Sequence, residues 1–154
     1  MNPSPRGLAV TDLILDVFRL ASRLLATGDR LVAGLGLTSE RWQVLGAIVA
    51  AERPQPVAWI ARDLGGNRQN VQRIVNDLAA EGFVAFEPNP HHRRAQLVVL
   101  TEAGREAFDR AMELWAPWAE GLAQGHSLEE IASMGAVLQG MRRHLEESQT
   151  GDEG

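Results

Sequence analysis

Between Asn67 and Asn76 the chain reads Asn-Arg-Gln-Asn-Val-Gln-Arg-Ile-Val-Asn. At about 100° per residue, a helix here gathers Val71, Ile74, Val75 and Leu78 on one face. Gln69, Gln72, Arg73 and Asn76 then centre on the opposite face, with Asn70 at its flank and Arg68 in the first turn. These are base-reading side chains: arginine matches the two acceptors of guanine, and Asn or Gln matches the donor and acceptor of adenine. Any solvated helix face is polar, but an ordinary one mixes acids with bases, and no carboxylate occurs here before Asp77. The helix N-terminus would add amides and the positive end of the helix dipole for a phosphate.

A second cluster is Arg93-Arg94, beside the loop Pro88-Asn89-Pro90-His91-His92. An arginine at a rigid tip can enter a narrow A·T-rich minor groove, where negative potential is strongest. A solvated basic loop has the same composition. The two histidines read as polar loop rather than metal ligands, because His126 and His144 lie far along the chain and cysteine is absent. No metal and no cofactor is expected. Without a nucleophile–base spacing or a phosphate-cradling glycine loop, no enzymatic activity is expected either.

The chain that must position these residues has 154 of them, enough for one compact unit or two subdomains sharing a core. A composition of 45% hydrophobic and 23% charged residues excludes disordered and low-complexity classes. The absence of cysteine excludes disulfides, thiolate nucleophiles and sensing by thiol oxidation. The apolar stretch from Leu8 to Leu25 is broken by Asp12, Asp16 and Arg19, which fits neither a signal peptide nor a membrane span of roughly 18 residues. A cytoplasmic protein without a membrane partner is expected. All 15 basic residues are arginine, a bias that genome composition explains. The net charge of -5 divides unevenly: Arg53 to Arg94 carries +2 and the remainder -7, which permits a nucleic-acid face.

Periodicity predicts a first helix from about Leu8 to Val32, with Val10, Leu13, Ile14, Val17, Ala21, Leu24 and Leu25 as its stripe. Thr38 caps a second helix burying Trp42, Leu45, Ile48 and Val49; Pro54 and Pro56 then force an extended connector. A short third helix carries Val57, Ile60, Ala61 and Leu64. Gly65-Gly66 turns the chain into the helix described above, with Asn67 as its cap, which makes a helix-turn-helix. Residues 83–86 and 95–100 have strand composition and form a hairpin. Thr101 caps a fifth helix in which Pro117 predicts a bend, and Ser127 with Glu130 forms a capping box for the last. The fold class is therefore mainly α with a small β-hairpin wing. Residues 38–101 form the winged helix-turn-helix lobe, 8–37 and 102–147 a helical dimerisation region, and 1–7 and 148–154 flexible termini. The terminal helices carry more apolar surface than so small a lobe covers, and Trp115 and Trp118 flank Pro117 with little of their own chain to pack on, so a homodimer is expected.

Residues 37–105 resemble the MarR family of bacterial transcription regulators. The matching segments are Leu-Thr-x-x-Arg-Trp-x-Val-Leu (37–45), Asn-Arg-Gln-Asn-Val-Gln-Arg-Ile-Val-x-x-Leu (67–78), Glu-Gly-Phe-Val (81–84) and Arg-Arg-Ala-x-Leu-Val-x-Leu-Thr-x-x-Gly-Arg (93–105). The resemblance implies a dimer whose first, fifth and sixth helices interlock while two winged lobes read a palindromic double-stranded DNA operator. It implies base and phosphate contacts from 68–76 and minor-groove entry by Arg94. It also implies a small aromatic or phenolic effector in a crevice that Trp42 could line; no effector-binding residue follows from the sequence. The family's wing usually carries an aspartate two residues before that arginine, where this chain has His92, so the orienting ion pair is missing. The resulting expectation is a ligand-responsive repressor. The alternative is a winged-helix module that binds another protein through the same polar helix.

Overall fold

The computed structural model describes residues 2–150, Thr150 by its backbone alone. Among them are six α-helices and a three-stranded antiparallel sheet, in two compact units that divide between Trp115 and Ala116. No helix of the described residues is long and apolar enough to cross a membrane.

Helix α1 spans Pro5–Val32 and so begins before Leu8. Ser4 caps it by accepting from the Gly7 amide at 3.2 Å, and Pro5 supplies a preset φ in the first turn. Residues 5–7, expected in a flexible terminus, are helical for that reason. At the other end α6 (Leu128–Thr150) takes in Ser148 and Gln149, also expected in a tail. Met1 and 151–154 of those two stretches lie outside the described residues.

Helix α2 (Ser39–Ala50) is capped by Thr38, whose hydroxyl accepts from the Arg41 amide at 3.2 Å. It joins α1 through Ser39: the hydroxyl donates to the Leu25 carbonyl at 2.8 Å and the amide donates to Asp29 Oδ1 at 2.7 Å. Gly28 makes this joint possible, since a methyl there would collide with Ser39 Oγ. Val44 and Leu45 are fully buried, whereas Trp42, Ile48 and Val49 are half-buried. Val44 escapes a single-stripe reading because α2 is packed by α1 and also by the two helices and the sheet that follow it in the chain.

Strand β1 (Gln55–Pro56) leads into α3 (Val57–Leu64) and α4 (Arg68–Ala80), with Gly65 at φ +65° between them. Strands β2 (Val84–Glu87) and β3 (Leu97–Leu100) form the hairpin, in the order β1-β3-β2. The connector before α3 is thus more than extended chain: Gln55 pairs with Val98, at the sheet edge where a neighbouring proline is tolerated. The core of the first unit contains Val32, Leu45, Ile60, Val75, Leu78, Val84 and Val98, which together anchor α4 and the wing on one base. Helix α5 (Glu102–Ala123) runs unbroken through Pro117. Ahead of α6, Ser127 and Glu130 cap reciprocally: Ser127 N donates to Glu130 Oε2 at 2.9 Å, and Glu130 N to Ser127 Oγ at 3.1 Å.

Candidate nucleic-acid interface

Asn67 Oδ1 accepts from the amides of Gln69 (2.8 Å) and Asn70 (3.2 Å), which starts α4 at Arg68. Val71, Ile74, Val75 and Leu78 are buried, so the helix is held on its apolar side only. Arg68, Gln69, Asn70, Arg73 and Asn76 are exposed and Gln72 is half-buried. The cap modifies one expectation: two first-turn amides that could have met a phosphate already donate to Asn67.

The polar side chains of α4 are arranged in pairs. Gln72 Nε2 donates to Asn76 Oδ1 at 3.0 Å, and Arg73 Nη2 donates to Asn70 Oδ1 at 2.7 Å. Arg73 also lies 3.7 Å from Asp77 and 3.9 Å from Glu40 of α2. The face is therefore not free of carboxylates: packing of α2 on α4 brings in Glu40, which α4's own sequence could not disclose. Exposed pairs at these distances are worth well under about 1 kcal/mol, so Arg73 can exchange them for a base edge. Arg41 is tied more firmly, 3.0 Å from Glu81 and 3.6 Å from Asp77, and fastens α2 to the C-terminal half of α4.

In the wing, Asn89 organises the loop: its Nδ2 donates to the Ala95 carbonyl at 3.0 Å and its Oδ1 accepts from the His91 amide at 3.0 Å. Arg93 and Arg94 project from this turn, both exposed. Arg94 lines a cleft of about 180 Å³ together with Arg68, Gln72 and Asn76, so four of the candidate residues converge at the junction of α4 and wing. Arg93 is not part of that lining. Among the described residues, the guanidiniums of Arg68, Arg93 and Arg94 have no ion-pair or hydrogen-bond partner.

Sequence reasoning missed the adjoining surface. Trp59, on the solvent side of α3, is 47% exposed and carries Arg62 5.6 Å above its ring. With Arg53, Arg68, His91 and His92 it borders a second cleft of about 690 Å³. The available signal was a tryptophan falling off the Val57–Ile60–Ala61 stripe.

A third cavity, of about 670 Å³, lies within the first unit between α1, α2 and the start of α5. Leu24 and Leu25, Trp42 and Gly46, and Phe108 and Trp115 form its main walls. Trp42 and Trp115 meet edge to face, centroids 5.4 Å apart at 73°. Trp115, expected to need a second chain for cover, thus packs on its own α2.

Residues 35–95 match the family model described as MarR family. An uncharacterized protein of Mycobacterium bovis is 41% identical over 104 residues, 68% of this chain and 71% of that one. The structure of Sco5413, a MarR family transcriptional regulator of Streptomyces coelicolor, is matched with a TM-score of 0.75 at 26% identity, over 90% of this chain and 96% of that one. The chain belongs to the MarR family. Its three-stranded sheet and helix-turn-helix are the winged-helix arrangement of MarR regulators. Another relative, the transcriptional activatory protein BadR of Rhodopseudomonas palustris, is 34% identical over 63% of this chain and 57% of that one. Two more distant MarR-fold structures hold ligands. CouR of Rhodococcus jostii, bound to p-coumaroyl-CoA, matches with a TM-score of 0.76 at 21% identity, over 84% of this chain and 91% of that one. The organohalide-sensing RdhR, in its 2,4-dichlorophenol-bound form, matches with a TM-score of 0.78 at 16% identity, over 94% of this chain and 86% of that one.

Proposed function

We propose that this MarR-family protein binds a palindromic operator as a homodimer, and that a small aromatic effector in the α1–α2–α5 cavity changes its affinity for DNA. One observation carries the DNA reading: Arg68, Gln72 and Asn76 of α4 converge with Arg94 of the wing on one cleft, with unpaired guanidiniums from both elements. Each lobe lays α4 in a major groove, where Gln69, Asn70, Gln72, Arg73 and Asn76 meet base edges, and Arg94 enters the adjoining minor groove beside Arg93. Exposed apolar side chains support the dimer. Phe18 and Leu20 of α1 and Leu128 and Leu145 of α6 are each more than half exposed, large apolar side chains that a second copy would cover.

Helix α2 is the physical link between effector and DNA. Trp42 and Gly46 wall the cavity, while Arg41 of the same helix holds Asp77 of α4 and Glu81 just past its end, and Glu40 lies 3.9 Å from Arg73. A ligand that shifts α2 changes the footing of the reading helix, and couplings of this kind amount to about 1–3 kcal/mol. The aromatic ligands of CouR and RdhR support an aromatic effector here. The reading is of a ligand-responsive repressor; activation, as in BadR's name, is the opposite outcome of the same reporter assay.

The test is fluorescence anisotropy with the intergenic DNA beside the protein's own gene. Tight binding that falls steeply with salt is expected, log K dropping by about 0.9 per phosphate contacted for each decade of salt. The site should be an inverted repeat with half-sites about 10 base pairs apart. No binding even in dilute buffer favours the protein-binding alternative. Within this reading, Arg73→Ala is expected to cost about 1–3 kcal/mol and relax preference at one base pair. Arg94→Ala is expected to weaken binding most on sites with A·T-rich flanks, and equal losses on G·C-rich flanks argue against minor-groove insertion.

A further inference from the structure

Glu40 belongs to α2, yet its carboxylate stands 3.9 Å from Arg73 on the polar side of α4. Both side chains are more than half exposed. Among the described residues, the Glu40 side chain has no second ion pair and no hydrogen bond. Asp77, the other carboxylate beside Arg73 at 3.7 Å, is by contrast shared with Arg41 at 3.6 Å. The start of α2 does not depend on Glu40 either: Thr38 Oγ1 takes the Arg41 amide and Asp29 Oδ1 takes the Ser39 amide.

An acid on a surface that meets DNA repels the phosphates, so its presence there calls for a compensating contact. The major-groove edge of a G·C pair supplies one. Guanine N7 and O6 are acceptors that suit a guanidinium, and cytosine N4 is a donor that suits a carboxylate. O6 and N4 are neighbouring, mutually hydrogen-bonded atoms, so a cation and an anion held side by side match the edge of a single pair. The fold holds Glu40 ready for this. Arg41, the next residue, is bridged to Asp77 and Glu81, and Ser39, the preceding one, donates its hydroxyl to the Leu25 carbonyl.

Resting on the DNA reading above, we infer that Glu40 is a specificity-determining residue outside the reading helix: Arg73 and Glu40 read one G·C pair together, Arg73 donating to guanine and Glu40 accepting from cytosine N4. Where thymine takes the cytosine's place, its O4 acceptor faces the carboxylate and the wrong site is penalised.

Fluorescence anisotropy of the full chain on operator duplexes tests this at the base pair whose preference Arg73→Ala relaxes. Pyrimidin-2-one in place of that cytosine leaves guanine's acceptors in the groove and removes the N4 donor. Wild-type protein is expected to bind this duplex about fivefold or more weakly than the G·C duplex, and Glu40→Ala to bind the two within about twofold. The weaker pairing of the analogue is common to both proteins and drops out of the comparison. Wild-type protein that binds both duplexes alike overturns the inference. So does a Glu40→Ala variant that discriminates as strongly as wild type, or one that loses affinity equally on all four base pairs, as a purely structural role would require; in each case the DNA reading stands. No operator binding, or no base pair relaxed by Arg73→Ala, overturns the role of Arg73 and this inference together.

Discussion

Phe18→Asp is expected to yield a folded monomer whose affinity for the operator falls by about 10²–10⁴-fold. Phe18 is 68% exposed on α1, so its ring contributes little to the fold of a single chain and the substitution leaves the core from Val32 to Val98 intact. In the proposed homodimer the second copy would cover this position. A carboxylate there must be stripped of water without a counter-ion, at a penalty of several kcal/mol, and the burial of the phenyl is lost as well. The DNA effect then follows from geometry. Joined lobes present the second α4 at high effective concentration once the first has bound, which multiplies affinity by about 10²–10⁴; a monomer forfeits that factor. Sedimentation equilibrium gives the mass, circular dichroism the fold, and anisotropy the affinity. A variant that remains dimeric removes α1 from the interface. A monomer with full operator affinity rejects the two-lobed reading altogether.

The second large effect concerns stability. Gly104→Ala is expected to destabilise the protein by about 3 kcal/mol. Gly104 lies in the first turn of α5, buried, and a methyl on it would collide with the Phe83 carbonyl oxygen and crowd Leu100. The obstruction is backbone, so no rotamer relieves it. That oxygen accepts from the Thr101 amide at 3.2 Å, and Thr101 Oγ1 donates to the Gly82 carbonyl at 2.6 Å while accepting from the Gly104 amide at 3.1 Å. Making room means lifting α5 off the hairpin and losing this cap. Alanine gains about 1 kcal/mol over glycine in helix propensity, and the overpacking outweighs it. Urea denaturation should show a lower midpoint; an unchanged midpoint refutes the close approach.

Much of the site's architecture was legible in advance because it rests on contacts within one turn. Asn67 as the start of α4, Thr38 as the cap of α2 and the Ser127–Glu130 box are side chain-to-backbone bonds over two or three residues, and residue type announces them. The buried face of α4 followed from spacing alone, since a helix repeats every 3.6 residues whatever surrounds it. The start of α1 at Pro5 is equally local, but prolines near a terminus suit a flexible end as well as a helix start, and residue type alone does not separate the two.

By itself, then, the amino-acid order determined the helices, the wing and the identity of the polar side chains that α4 turns away from its core. Only the folded chain decided their company. Arg41 meets Glu81 across forty residues, Glu40 reaches Arg73, β1 joins β3, Trp115 finds Trp42, and Phe83 limits Gly104 to a hydrogen. Each of these pairings depends on how helices and strands pack in three dimensions. Local periodicity encodes which face of an element is apolar but carries no record of which distant residue will lie against it.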